Sequence, residues 1–192
     1  MFLDLVKKAR SVRGFREDRP VTDEELRYLV ECARYTPSAR NAQVLKYALV
    51  NTPEMLQKVQ PLTKWAGALK ELNLPYPGTC PQAFIVICQD YRLNDSPTAF
   101  QKDVGIAAQT MLLAANELGL GGCMIASFSA GELKMVLGLE DFLKPQLVLA
   151  LGAPIEDIRV TDVGPDGITT YYRDEKGTHY VPKRTLEELI LK

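Results

Sequence analysis

The arrangement of apolar segments along the chain constrains the fold most strongly. Two runs, QAFIVICQD at 82–90 and PQLVLALGAP at 145–154, are apolar nearly throughout, which is typical of buried strands. A third strand is predicted at 47–51, and a long helix with a run of small residues at 99–118. Strands and helices interleave without a regular βαβ repeat, so the sequence predicts an α+β fold, with residues 1–192 forming one domain.

Capping signals predict further helices. Thr22 and Glu25 have the spacing of a capping box, in which a hydroxyl and a carboxylate each accept a backbone N–H at the start of a helix. The same pattern recurs in SAGE at 129–132 and predicts a helix that ends near residue 138. The other predicted elements are a short amphipathic helix at 2–9, a hairpin that turns at 175–177, and a C-terminal helix over TLEELILK at 185–192.

The charges of the chain nearly balance. There are 23 lysines and arginines against 24 aspartates and glutamates, which gives a net charge of −1 and argues against non-specific binding to nucleic acid or acidic membranes. No window of about 18 residues is uninterruptedly apolar, as a membrane-spanning helix requires. The N-terminus MFLDLVKKAR carries charges where a signal peptide needs an apolar run. We therefore expect a soluble, cytoplasmic protein.

Few side chains are available for acid–base or metal chemistry. His179 is the one histidine, so the sequence offers neither a multi-histidine metal site nor an apparent histidine-based triad. The four cysteines form no C-x-x-C pair, and Cys32, Cys88 and Cys123 lie in apolar stretches, which predicts buried, reduced thiols. We expect no metal site and no catalytic side chain, and we assign the chemistry to a cofactor.

Positive charge is concentrated near the N-terminus, where ARSVRGFREDRP at 9–20 contains four arginines. Arg10, Ser11 and Arg13 lie where the first predicted helix ends, with one hydroxyl between two guanidinium groups. Because a guanidinium group matches the oxygens of a phosphate in a bidentate way, these residues are candidates for a phosphate site. The other two arginines adjoin acidic residues and are predicted to be solvated surface charges: Arg16 and Arg19.

A second cationic pair, Lys183 and Arg184, precedes the last predicted helix. Two clusters at opposite ends of the chain suggest one dianionic phosphate bound from both sides, although solvated charges are an alternative that spacing leaves open. The sequence contains no P-loop pattern G-x-x-x-x-G-K-S/T. GLGGCM at 119–124 follows a helix and lacks the third glycine of the dinucleotide fingerprint. A phosphate-bearing cofactor would therefore be held without either motif.

Motifs along nearly the whole chain resemble those of the nitroreductase-like FMN enzymes in order and spacing. They are ARSVRGF, ARYTPSARNAQVLKYALV, DVGIAAQTMLLAANELGLGGCMIASF, LVLALGAP and HYVPKR. The resemblance implies an α+β sandwich with an antiparallel-type central sheet and flanking helices, assembled as an intertwined homodimer. It also implies FMN at the subunit interface, with NADH or NADPH as the electron donor. Residues 53–80, which include Trp65, match no family pattern and fall where family members differ in their substrate lids.

The resemblance implies three groups of FMN-binding residues. The first would bind the phosphate and ribityl groups: Arg10, Ser11 and Arg13, with the C-terminal pair Lys183 and Arg184. The second is a turn contributed by the partner subunit, with polar positions just after it: Pro37, Ser38 and Ala39, then Asn41 and Gln43. The third runs past the edge of the flavin ring, where a backbone N–H would face N5: Ile125, Ala126 and Ser127.

The function implied by this resemblance is FMN-dependent reduction of nitroaromatics, quinones or similar flat acceptors by NAD(P)H, in a ping-pong cycle with hydride transfer. The alternatives are a flavin-binding or storage module without turnover, and a flavoenzyme of the same fold with other chemistry, such as reductive dehalogenation or cleavage of the flavin. A structural domain with solvated arginines and no flavin is a further alternative. The sequence does not identify the acceptor or distinguish NADH from NADPH.

Overall fold

A computed structural model describes residues 1–67 and 72–191. Part of the unmatched segment, 68–71, and the last residue of the predicted C-terminal helix, Lys192, lie outside the described residues. The helices and strands follow in the order α1 (Phe2–Lys8), α2 (Asp23–Arg34), β1 (Leu45–Val50), α3 (Pro53–Val59), β2 (Ala83–Asp90), α4 (Gln101–Glu117), β3 (Gly121–Ile125), α5 (Ala130–Val136), β4 (Leu143–Gly152), β5 (Ile158–Asp162), β6 (Tyr172–Arg173), β7 (His179–Lys183) and α6 (Leu186–Leu189).

The central sheet has four strands in the order β1-β2-β4-β3, and every neighbouring pair is antiparallel. The prediction of an α+β fold with an antiparallel central sheet is confirmed. β2 is buried along its whole length because both faces of the sheet are covered. Its side chains alternate between two apolar clusters, with Ile85 in the cluster that contains residues of α2 and α4 and Val86 in the cluster that contains residues of α3 and α5.

The helix α2 begins as predicted. Thr22 Oγ1 accepts the N–H of Glu25 at 3.2 Å, and Glu25 Oε2 accepts the N–H of Thr22 at 2.9 Å, which completes the capping box. The helix then buries Leu26, Leu29 and Ala33 against the sheet. The predicted capping box at 129–132 is wrong, although α5 does begin there. Ser129 makes no side-chain cap because its ψ is 84°, whereas the ψ of Thr22 is 163°.

The C-terminal part of the chain adds a second sheet of three strands, in the order β5-β7-β6. β6 and β7 form the predicted hairpin, and its turn ends at Gly177, whose φ of 82° lies in the left-handed region that favours glycine. The pairing of β5 with β7 is parallel, and no pattern in the sequence predicts β5. Within residues 1–67 and 72–191, none of the helices combines the length and the hydropathy needed to cross a bilayer.

Candidate functional site

The two basic clusters meet at one cavity of about 320 Å³. The N-terminal segment after α1, one face of β7 and residues of α4 and β3 form its walls. Its lining residues are Ala9, Arg10, Ser11, Arg13, Gln109, Leu112, Met124, Tyr171, His179, Val181 and Lys183. The structure therefore brings together four predicted phosphate ligands, Arg10, Ser11, Arg13 and Lys183. Arg10 and Lys183 are 173 positions apart in the sequence.

Arg184, the fifth predicted phosphate ligand, does not line this cavity. Its side chain is exposed, and its Nη1 lies 3.4 Å from Glu188 Oε1. Side chains alternate along β7, so His179, Val181 and Lys183 share the face toward the cavity. Of the C-terminal basic pair, only Lys183 contributes to the cavity wall.

Glycines allow the N-terminal segment to lie against the central sheet. The N–H of Val12 donates to the carbonyl of Gly122 at 3.0 Å. A Cβ on Gly121 would stand 2.8 Å from Val12 Cγ2, and a Cβ on Gly152 would stand 2.9 Å from the ring of Phe15. A larger residue at either position would push the segment away from the sheet. Gly121 and Gly152 thus allow close packing of the N-terminal segment on the sheet.

Arg13 is held by a buried network at the base of the cavity. Its backbone N–H donates to Glu156 Oε2 at 2.5 Å, and the other oxygen of Glu156 forms a partly buried ion pair with Arg173. The guanidinium carbon lies 4.9 Å from the centre of the Tyr171 ring, which is cation–π geometry. Only 8 % of Arg13 is exposed, so its position is set by these contacts rather than by solvent.

Unpartnered nitrogens show what the cavity can accept. Arg10 donates from Nη2 to the carbonyl of Val6 at 2.8 Å, and Arg13 donates from Nη1 to the carbonyl of Ser11 at 3.4 Å. Their Nε atoms are buried and have no hydrogen-bond partner among the described residues. A buried guanidinium N–H without an acceptor is unfavourable, and a phosphate group would supply that acceptor. The donors fit a phosphate monoester such as that of FMN.

Arg16 and Arg19 stay outside this site. Arg16 is exposed and forms an ion pair with Asp18 at 2.9 Å, as expected of a surface charge. Arg19 is half-buried, and its two terminal nitrogens bind the carboxylate of Glu25, one of them at 2.5 Å. The prediction that Arg19 is only solvated is therefore wrong, because the carboxylate that caps α2 also binds this arginine.

The predicted turn lies at a different cavity of about 330 Å³, which Pro37, Ser38 and Gln43 line together with Asp103 of α4. Ala39 and Asn41 belong to the same turn, and both are exposed. Within one chain, this turn and the basic cavity do not share lining residues.

The third predicted group continues from β3. Ile125 ends the strand and is buried, whereas Ala126 and Ser127 are exposed. The carbonyl of Ser127 accepts the N–H of Lys64 at 2.9 Å, and Thr63 forms an isolated bridge with Phe128. The segment is therefore fixed along one side by residues 63 and 64, which belong to the unmatched region 53–80. Met124 brings it to the edge of the basic cavity.

Burial sets the protonation of the groups near the site. Burial, and after it the charges of Arg13 and Arg173, lowers the pKa of His179 to about 4 from its ordinary 6.5, so the imidazole is neutral at physiological pH. Burial raises the pKa of the Cys123 thiol, which is therefore protonated. Cys88 and Cys123 are buried as predicted, but Cys32 is only half-buried because α2 lies at the surface.

Sequence reasoning missed the residues that hold Arg13 in place, which are Glu156, Tyr171 and Arg173. It also missed Asp103, which anchors the turn. The single histidine, in a predicted strand next to a cationic pair, is the one sequence signal for this wall of the cavity. No group of three or more His, Cys, Asp or Glu side chains in the described part of the chain is arranged to hold a metal ion.

A sequence model described as the Nitroreductase family matches residues 6–153. The chain belongs to the nitroreductase family. The match ends before β5, so Tyr171, His179 and Lys183 lie beyond the matched part of this nitroreductase-family chain.

Individual nitroreductase-like proteins are similar over most of the chain. An FMN reductase (NAD(P)H) of Bacillus subtilis is 26% identical over 211 residues, covering 92% of this chain and 81% of that protein. An iodotyrosine deiodinase of Thermotoga neapolitana is 24% identical over 171 residues, covering 80% of this chain and 89% of that protein. The crystal structure of a nitroreductase family protein from Streptococcus pneumoniae has the same fold, with a TM-score of 0.70 at 20% identity, covering 86% of this chain and 96% of that one.

Proposed function

We propose that this protein is an FMN-dependent oxidoreductase that uses NADH or NADPH to reduce flat acceptors such as nitroaromatics and quinones. The observation that carries this proposal is the cavity lined by Arg10 and Arg13, whose buried Nε atoms have no acceptor among the described residues. Family membership and the similarity to an FMN reductase support the same cofactor. When bound, FMN would supply the redox chemistry, and the chain would supply binding and orientation.

Arg10, Ser11, Arg13 and Lys183 would hold the phosphate and the adjoining ribityl group. Arg184 would have to leave Glu188 to join them, and this is feasible because a solvent-exposed ion pair contributes little to stability. The segment Ile125, Ala126 and Ser127 would run past the ring, with a backbone N–H directed to its N5. Pro37, Ser38, Ala39, Asn41 and Gln43 would reach the flavin of the other subunit.

This assignment requires no side chain to transfer a proton. His179 is neutral and buried, and Cys123 is a buried thiol, so neither is poised as an acid or as a nucleophile. NAD(P)H and the acceptor would occupy the same face of the site in turn, and this order gives ping-pong kinetics. The whole chain, 1–192, would act as one domain in a homodimer, in the cytoplasm where the nicotinamide donors are available.

Reductive dehalogenation is the second candidate, because the chain is similar to an iodotyrosine deiodinase over 80% of its length. Both functions would use the same cofactor site. They differ in the acceptor that is reduced.

Spectroscopy and an acceptor screen test the proposal. The purified protein should be yellow, hold about one FMN per chain, prefer FMN to riboflavin, and lose its visible absorbance when NADH or NADPH is added without oxygen. Turnover with a quinone or a nitroaromatic supports the first function, and iodide release from iodotyrosine supports the second. A colourless protein that binds no FMN would refute both. FMN that binds but is not reduced by either donor would indicate a binding module.

A further inference from the structure

His179 occupies a fixed place in the wall of the basic cavity. It lies on β7, the central strand of the C-terminal sheet, and pairs with Ile158 on one side and with Arg173 on the other. Its backbone N–H donates to the carbonyl of Asp157 at 2.8 Å. The imidazole lies 5.3 Å from the Tyr171 ring, centre to centre, and only 2 % of the residue is exposed. Backbone and ring are thus both held in position.

The imidazole faces positive charge from several elements. Arg13 of the N-terminal segment and Arg173 of β6 act on it most directly, and Arg10 and Lys183 line the same cavity. The nearby carboxylate of Glu156 is already bound by the N–H of Arg13 and by Arg173. The surroundings therefore favour the neutral form of the ring.

One ring nitrogen of the imidazole also lacks a hydrogen-bond partner among the described residues. Its Nδ1 is buried and has no hydrogen bond to any residue of the described ranges 1–67 and 72–191. The neighbouring Nε atoms of Arg10 and Arg13 share this property. Three buried nitrogens without a partner thus belong to residues that line one cavity, and one acceptor with several oxygens would satisfy them. A phosphate monoester has that chemistry, and a neutral imidazole can donate to it through one N–H.

We propose that His179 is a ligand-binding residue that donates a hydrogen bond to the phosphate group of the bound flavin, beside Arg13. This inference rests on the proposed function, since it requires FMN to occupy the cavity. A neutral donor adds a hydrogen bond without adding another cation to a site that already contains three. It therefore favours phosphorylated flavin over riboflavin while limiting charge repulsion when the site is empty.

The first test uses the fact that the chain contains one histidine, so its imidazole gives a single set of NMR signals. These signals would be recorded for the full-length protein loaded with FMN, and with riboflavin at concentrations that quench the riboflavin fluorescence. We expect FMN to shift the imidazole ¹H and ¹⁵N resonances and to slow N–H exchange, and riboflavin to do neither. A dianion beside the ring should also raise the pKa of His179.

The second test measures affinity. His179→Leu should weaken FMN binding roughly 10- to 100-fold, the range for losing one hydrogen bond to a charged group, and leave riboflavin binding unchanged. His179→Gln keeps an N–H donor and should recover most of the FMN affinity. Tyr180→Phe is the matched control, because Tyr180 adjoins His179, does not line the cavity and directs its hydroxyl to Asp174 at 3.2 Å.

The outcomes separate this inference from the proposed function. If FMN binds and is reduced by NADH, but FMN and riboflavin change the imidazole signals equally, His179 does not contact the phosphate and the inference is wrong. Equal loss of FMN affinity in His179→Leu and Tyr180→Phe would overturn it as well, because a general weakening of β7 would explain both. If the protein binds no FMN, the proposed function fails and the inference fails with it.

Discussion

The hydroxyl of Ser38 donates a hydrogen bond to Oδ2 of the buried carboxylate of Asp103 at 2.7 Å, and the same oxygen accepts the N–H of Ala39 at 2.9 Å. Ser38 Oγ in turn accepts the N–H of Gln43 at 3.1 Å. One carboxylate on α4 therefore anchors the turn that the family resemblance predicts to contact flavin.

This turn needs such an anchor because its backbone is strained. Arg40, Asn41 and Gln43 have φ values of 55°, 53° and 48°, in the left-handed region that residues other than glycine rarely adopt. Each such residue raises the energy of the turn by about 1 kcal/mol or more, so the conformation persists only when surrounding contacts hold it.

Asp103→Ala should lower the free energy of unfolding by about 1–3 kcal/mol, because it leaves the Ser38 hydroxyl and the Ala39 N–H without their acceptor. Urea denaturation followed by circular dichroism measures this change. Lys102→Ala is the matched control, since Lys102 is the exposed neighbour on the same helix. An equal loss in both variants would mean that helix propensity, and not the turn, explains the effect.

Arg13→Ala should weaken FMN binding roughly 10- to 100-fold, as expected for the loss of one hydrogen bond to a charged group. Arg16→Ala should leave the affinity unchanged, because Arg16 is exposed and binds Asp18. Fluorescence titration of both variants measures the difference. Release of flavin by both substitutions, or by neither, would contradict the assignment of the cavity.

The central sheet could be predicted because the sequences of β2 and β4 contain continuous apolar runs. Such runs are typical of strands that are buried on both faces of a sheet. β5 could not be predicted in this way. Its sequence IRVTD is short and largely exposed, and it is a strand only because β7, which begins 21 positions after Ile158, pairs with it in parallel. No local pattern specifies such a pairing.

The candidate site was predictable to the extent that its chemistry is local. Arg10 and Arg13 stand out because charge is concentrated within a few residues. Asp103 does not, because an acidic residue in the first turn of a helix is ordinary and favoured by the helix dipole. Tyr171 and His179 reach the cavity only through the β5-β7-β6 sheet, so their role depends on long-range pairing that the sequence pattern does not reveal.

The site should be shared between two subunits of a homodimer. Within one chain, the turn at 37–43 and the basic cavity do not share lining residues, and large apolar side chains such as Phe2 and Leu189 are exposed. We expect light scattering to give the mass of a dimer that keeps FMN on dilution. A monomer that binds FMN tightly would contradict this expectation.

Mixed dimers provide a sharper test of sharing. One subunit would carry Arg13→Ala and the other Asp103→Ala. If each FMN site is built from the basic cavity of one subunit and the turn of the other, one of the two sites then has both an intact arginine and an intact turn. We expect these mixed dimers to recover tight FMN binding at about half of their sites. If each site lies within a single subunit, no tight site is recovered.

Stability should fall as the pH drops from 6.5 toward 4. The folded pKa of His179, about 4, lies below its unfolded value, so in this window the unfolded chain binds a proton that the folded chain does not. The stabilising contribution of the neutral ring is therefore fully present above pH 6.5. The free energy of unfolding of the wild type, measured relative to that of His179→Gln in flavin-free, phosphate-free buffer, should fall by up to about 1.4 kcal/mol per pH unit in this window. Parallel stability profiles for the two proteins would show that the folded ring titrates normally.

Catalysis should survive the loss of the histidine and of the nearby cysteine, provided that the flavin site is full. His179 is neutral and Cys123 is protonated, so neither offers the acid–base group that would contribute about 10²- to 10⁴-fold to the rate. At saturating FMN, His179→Ala and Cys123→Ala should therefore retain most of the turnover rate for NADH-driven reduction of a quinone. His179→Ala should nevertheless need more FMN to reach saturation, because it would lose the proposed phosphate contact. If turnover at full flavin occupancy fell by a factor of about 100 or more, a side chain would take part in the reaction, and an account based on the cofactor alone would have to be abandoned.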